Sequence, residues 1–268
     1  MQINKINFRD VSNKKNFQRP NANFVSFQSL SSTVKLVGSK KTPLLERLLI
    51  ARKWLAGLYN VKTDGEYVLK KYHVPYNLQA RKIIIPEAFK IKGNYHATDS
   101  IEISGTTLKN SEMRSDGDIL INANAKIFGK TKSLKKTEIS GIIADTGEVE
   151  SMDISIGYLG KVDGQAKASS SVYISGIVSN GAKIKGREVR VENEADILGY
   201  VESTGPAYIS GGVAEKAEIQ AEVAHVYQGA KIDGKINATK SVIIEGNFLG
   251  GGKVSSGEGG IWHIKPRL

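Results

Sequence analysis

Aliphatic and polar positions alternate in short runs through residues 81–268. The pairs Ile83/Ile85, Ile119/Ile121, Ile154/Ile156, Val189/Val191 and Ala224/Val226 each skip one residue. A period of two marks a strand with one face turned inward, a setting that β-branched side chains suit. Gly, Asn, Asp and Ser interrupt the runs every five to seven residues, too often for a helix. The pattern predicts short strands broken by tight corners, with glycine supplying positive φ at the corners.

The strands recur in register. Ile103-Ser104-Gly105, Ile139-Ser140-Gly141, Ile174-Ser175-Gly176, Ile209-Ser210-Gly211 and Ile244-Glu245-Gly246 end on glycines 36, 35, 35 and 35 residues apart. A second phrase ends on Gly93, Gly129, Gly164, Gly199 and Gly234, with the same intervals. A period held over five copies is the signature of a solenoid. Six short strands per 35 residues divide into two coils of about 17–18 residues with three faces each. The expected fold is all-β, a single-stranded parallel β-helix over residues 81–268, with ten or eleven coils stacked at ~4.8 Å. Each coil satisfies its backbone only through the coils above and below, so both ends are open sheet edges unless something covers them.

Three other segments precede the rod. Residues 1–41 lack periodicity, are rich in Asn, Ser, Lys and Gln, and are expected to be a disordered basic tail with isolated phenylalanines. Residues 42–60 predict a short amphipathic α-helix, opened by Thr42 and Pro43. Leu44, Leu45, Leu48, Leu49, Leu55 and Leu58 share one face, with Trp54 beside it. Two roles fit this helix: a cap over the first coil, or a contact with a membrane surface. Residues 61–80 are transitional; the Asp64-Gly65 turn signal and a strand over Glu66–Lys71 stand beside Tyr67, Tyr72 and Tyr76.

Charge sharpens this division. Residues 1–80 carry 14 Lys+Arg against 4 Asp+Glu, whereas residues 81–268 carry 24 against 23. The net +11 therefore sits almost wholly in the amino-terminal third, which suits an anionic membrane surface. Nucleic acid is the weaker alternative, because no nucleic-acid module is recognisable. There is no cysteine, which removes disulfides and thiolate metal sites. No apolar run approaches ~18 residues, and the amino terminus does not read as a secretory signal. The expected location is cytoplasmic, peripheral at the inner face of the membrane.

Chemistry-bearing motifs are missing. No Walker loop, Gly-x-Ser-x-Gly elbow or His-Glu-x-x-His occurs, and His73, His96, His225 and His263 lack ligand spacing. Glu148, Glu150, Asp153, Glu188, Glu192, Glu194 and Asp196 alternate with aliphatic residues beside Lys or Arg, the pattern of a solvated strand face. No enzyme activity, cofactor, metal or small-molecule substrate is expected. A hexapeptide-type acyltransferase shares three-faced coils, but the strict six-residue beat and a histidine-bearing loop are absent here.

The run GAKIDGKINATKSVIIEGNFLG at 229–250 resembles the bactofilin domain of bacterial polymer-forming cytoskeletal proteins. Ala230, Ile232, Gly234, Ile236, Ala238, Val242, Ile244, Glu245 and Gly246 carry the likeness, with weaker echoes at 182–199 and 195–221. The resemblance implies a right-handed, three-faced β-helix that assembles end to end into non-polar filaments without nucleotide, with an amino-terminal segment on the membrane. It also implies an end-contact role for Phe248. Ile261 and Trp262, near the carboxy end, join Phe248 as candidate self-association residues. The chain departs from the family in its longer rod, its long basic extension and its apolar carboxy end. A competing expectation is a monomeric module that binds polysaccharide or protein on an exterior face, where Tyr173 and Tyr208 stack 35 residues apart.

Overall fold

The computed structural model describes residues 26–27, 60–70, 74–245 and 250–264. The helix expected over 42–60, with its leucine face and Trp54, lies outside the described residues, as do Tyr72, His73 and Phe248. The rest is an all-β solenoid of about 11 turns whose coils stack through parallel strands, with no helix among the described residues.

One coil shows the plan. Glu112–Ser115 forms the first face, Asp118–Ile121 the second and Lys126–Ile127 the third. The next coil repeats it with Lys130–Ser133, Lys136–Ile139 and Ile142–Ile143. Register is strict: Glu112 pairs with Lys130, which pairs with Glu148, while Ile119 pairs with Thr137, which pairs with Ile154. The third faces form a separate sheet of nine two-residue strands among the described residues. Elsewhere the first two faces merge into single long strands such as Asn94–Ile103 and Lys235–Glu245.

Alternation puts every second side chain inside. Isoleucine and valine columns fill the interior, including Ile101, Ile119, Ile154, Val172 and Val189, all at most 1 % exposed. At the corner between the first and second faces the inward position is small. Ser115, Ser133, Ser151 and Ser203 occupy it, and each Oγ donates to a carbonyl of the preceding coil: Asp99 at 3.3 Å, Gly117 at 2.6 Å, Lys135 at 2.9 Å and Arg187 at 2.9 Å. This serine ladder ties each corner to the coil before it; the Lys135 carbonyl accepts from the Asp153 N–H at 3.0 Å as well as from Ser151.

The 35-residue period has a structural cause at the other two corners. Each coil makes one of them with a wide four-residue turn, closed by the fourth N–H on the first carbonyl. Asn122–Ala125 and Glu192–Ala195 follow the second face; Ala144–Gly147 and Ser179–Ala182 follow the third. The turn changes corner from one coil to the next, so two coils make one repeat. The glycine of each narrow corner seats directly on the wide turn of the coil beneath. A Cβ at Gly105 would lie 2.5 Å from the Phe89 carbonyl oxygen and 2.6 Å from that of Pro86. Gly129, Gly141, Gly164, Gly176, Gly199, Gly211 and Gly234 meet the turn carbonyls below them in the same way. This corrects the expectation that the repeat glycines serve positive φ. Among the described repeat glycines, Gly93 alone has it, at 129°, and the others are glycine because backbone approaches backbone.

The rod also begins earlier than expected. Asn60–Lys62 and Glu66–Val68 pair in parallel with Asn77–Ile85, so the transitional segment is the first coil. Ser26–Phe27, inside the segment expected to lack structure, adds an antiparallel pair on the outer edge of Asn60–Lys62.

Candidate functional site

The two ends of the rod differ. At the amino-terminal end, Ser26 pairs with Lys62 and Phe27 with Val61, taking up the backbone edge of the first face. In that first coil Val61 is 3 % exposed and Leu69 2 %, whereas Tyr67, paired with core Ile83, is half-buried, and no described strand pairs with the outer side of Glu66–Val68.

At the other end of the rod, the last coil has no further coil over it among the described residues. The last described coil consists of Lys253–Ser256 and Gly260–Ile264, each paired with Lys235–Glu245 on its inner side. Among the described residues, no strand pairs with the outer side of either. Strands in a sheet interior turn backbone groups to both neighbours, so these two present a row of N–H and C=O groups with no described strand to receive them. Ile261 stands in the core column directly above Val242. Val242 is fully buried, yet Ile261 is 42 % exposed because no described coil covers it. Trp262 and Ile264 are 61 % and 50 % exposed. The Trp262 indole N–H donates to the Gly259 carbonyl at 2.7 Å, which folds the ring back over its own turn. Of the three residues expected to mediate self-association, the structure brings Ile261 and Trp262 together at this end.

A second feature runs down the outside of the second face. Tyr173 and Tyr208 do share one exterior column, and Arg190 stands between them. Its guanidinium carbon lies 5.9 Å from the Tyr173 ring centre and 4.9 Å from that of Tyr208. His225 follows, stacked on Tyr208 with ring centres 5.2 Å apart and planes 29° apart. Register then continues the column through Ile243 to Trp262, at the open end. Glu188 accepts from Arg190 Nε at 2.7 Å; this hydrogen bond raises the arginine's pKa further. His225 lies on the exterior, half-buried, as a rung of this stack. Sequence reasoning at the 35-residue interval passes over Arg190 and His225; the single-coil interval of 17–18 residues finds both. The rungs occupy one another's faces: Tyr208 has Arg190 on one side and His225 on the other. A flat ligand stacking onto Tyr208 would have to displace one of them.

The remaining candidate chemistry is dispersed. Glu148 pairs with Lys130 at 2.9 Å and Glu150 with Lys132 at 3.2 Å, both across coils. A hollow of about 570 Å³ borders the first face near the amino-terminal end, and no motif in the chain marks it. Its floor carries an asparagine ladder in which Asn94 donates to Asn77 at 3.0 Å and Asn77 to Asn60 at 2.7 Å. His96, on its border, pairs with Asp116 at 3.2 Å; among the described residues, no Ser, Thr or Cys lines the hollow. Among the described residues, no group of three His, Cys, Asp or Glu converges as a metal site, and no helix is long and apolar enough to cross a membrane. Compared with family models, curated proteins and solved structures, the chain matches none.

Proposed function

We propose that this protein is a structural scaffold that self-associates through the end of its β-solenoid without nucleotide, in the manner of the bactofilins it resembles. The basic amino-terminal segment tethers it to an anionic membrane surface. One observation carries the reading: Ile261 occupies a core position and is 42 % exposed. A residue built for the interior of a coil stack, left at its surface, is completed by another strand edge. Negative-stain microscopy of the full chain tests this. Joined rods at high concentration, abolished by Ile261→Lys and unchanged by ATP or GTP, are the expected result. Single rods at every concentration would refute it.

A second reading, a monomeric module binding polysaccharide or protein, rests on the exposed column from Tyr173 to Trp262. It requires a ligand that reads ring edges and hydroxyls rather than ring faces. Glycan retention lost in Tyr173→Ala/Tyr208→Ala, with single rods in the microscope, would favour it over self-association.

A further inference from the structure

The wide turns between the second and third faces share one backbone, so each is a control for the others. Four of them carry polar or small residues at their two middle positions: Glu87–Ala88, Ala123–Asn124, Asn193–Glu194 and Gln228–Gly229. A fifth, Gly157–Gly160, is closed by the Gly160 N–H on the Gly157 carbonyl at 2.7 Å and carries Tyr158 and Leu159, which are 71 % and 66 % exposed. The fold needs neither side chain, and water favours neither, so an apolar pair on a protruding turn points to a partner. Exposed Ile177 lies one coil further towards the carboxy-terminal end, on the third face. Two coils in that direction, ~10 Å at the strand spacing, the next wide turn and the strand after it hold Glu192, Glu194 and Asp196. All three are exposed, and none forms an ion pair among the described residues. The cations beside them do not neutralise them: Arg190 is held by Glu188 at 2.7 Å and Lys161 by Asp163 at 2.9 Å. Lys126 stands two coils away on the opposite side of the Tyr158 turn.

An apolar turn with carboxylates on one side fits an aromatic side chain flanked by basic ones. Residues 1–25 supply that chemistry: Phe8 stands between Lys5 and Arg9, Phe17 stands between Lys15 and Arg19, and the segment carries five Lys+Arg against one Asp. We propose that Tyr158 and Leu159, with the carboxylates beside them, are a docking site for the chain's own residues 1–25, and that the docked segment is withheld from the membrane. The second clause rests on the tether reading above; the first does not. Reach permits the contact. Phe8 lies 18 residues before Ser26, which is paired to the first coil. A stretch of that length spans up to ~60 Å, whereas the turn lies five coils from that strand, ~24 Å along the rod. Size selects this occupant over a separate molecule. Two large side chains make a contact far below the ~1,200 Å² of a weak interface between free partners. A segment tethered to the same rod is present at an effective concentration of about a millimolar, so a contact this small suffices.

Paramagnetic relaxation enhancement on the full-length protein tests the docking. The chain has no cysteine, so Ser12→Cys gives a single nitroxide site between the two aromatic–basic units. The expected result is broadening of the backbone amide signals of residues 157–160 and 192–196, weakened by added salt. The broadening should disappear in Phe8→Ala/Phe17→Ala and in Tyr158→Ala/Leu159→Asn, the latter reproducing the side chains of the Ala123–Asn124 turn. Broadening spread evenly along the rod, or centred elsewhere, would overturn the docking. So would local broadening that survives Tyr158→Ala/Leu159→Asn. Broadening in isotope-labelled copies that lack the nitroxide, mixed with spin-labelled ones, would assign the contact to a second copy and overturn docking within one chain. Vesicles of phosphatidylserine and phosphatidylcholine test the second clause. They should abolish the broadening, and Tyr158→Ala/Leu159→Asn should bind them several-fold more tightly because the competing state is gone. Equal binding by wild type and variant would overturn the competition. No vesicle binding by either would overturn the tether reading and the competition with it, while the amide broadening still decides the docking.

Discussion

Gly105→Ala adds one methyl group where the coils touch. The new Cβ would stand 2.5 Å from the Phe89 carbonyl oxygen, 2.6 Å from that of Pro86 and 3.2 Å from a methyl of Ile85. Relieving the first two contacts requires the chain to move by several tenths of an ångström. Both oxygens belong to the turn Pro86–Phe89, itself closed by the Phe89 N–H on the Pro86 carbonyl at 3.1 Å. The Phe89 carbonyl also accepts from Thr106 N–H at 2.7 Å, so separating the coils here weakens the ladder that joins them. Overpacking of a close-packed site costs about 1–3 kcal/mol, and with backbone as the obstacle the upper part of that range applies. Two controls separate contact from conformation. Gly251 has open space around it and an ordinary φ, so Gly251→Ala should stay within about 0.5 kcal/mol. Gly181 has open space but φ of 85°, so Gly181→Ala should cost about 1–2 kcal/mol through backbone strain alone. Urea unfolding followed by circular dichroism reads all three, as shifts in midpoint, because a solenoid need not unfold in two states. Gly105→Ala matching Gly251→Ala would refute the close-approach explanation of the 35-residue repeat.

Three more predictions concern the interior. The hydroxyls of Thr131 and Thr137 are buried with no protein partner, so Thr131→Val and Thr137→Val should each stabilise the fold by about 1 kcal/mol in the same unfolding assay. Ser133→Ala removes the donor to the Gly117 carbonyl and should cost about 1 kcal/mol, with faster amide exchange at that corner. Burial raises the Tyr95 hydroxyl's pKa well above its ordinary value of 10.0, with Tyr67 contributing in the same direction. The unfolded chain therefore ionises first. The Tyr95 contribution is complete below pH ~10 and is lost as pH rises above it, so a stability–pH profile should fall there. Tyr95→Phe should flatten that fall, while losing the hydrogen bond to the Pro75 carbonyl costs about 1 kcal/mol at neutral pH.

The fold was legible because alternation and period are both written in side-chain type. Ile119/Ile121 and Ile154/Ile156 face inward as their spacing requires, and coils of 17–18 residues follow from halving the glycine interval. The reason for the glycines was not legible. Positive φ and close approach both select glycine, and only the coil beneath distinguishes them. The first coil was obscured because Val61 and Leu69 are separated by the polar run Lys62–Glu66 and lack the aliphatic doublets of later coils. The exterior column was half legible: tyrosine recurs at the double-coil interval, whereas Arg190 and His225 fill the intervening coils with different chemistry. The contrast between the ends could not be read from one end's residues. Ile261 looks like any core isoleucine until the absence of a described coil above it is seen.

Hydrogen–deuterium exchange at the amides of residues 253–264, followed as full-length protein is concentrated, tests the open end most directly. The account predicts that amides on the outer side of Lys253–Ser256 and Gly260–Ile264 exchange quickly when dilute and slow markedly as the copies pair. Exchange there that is fast at every concentration would contradict self-association through this edge, and exchange already slow at high dilution would contradict its being open.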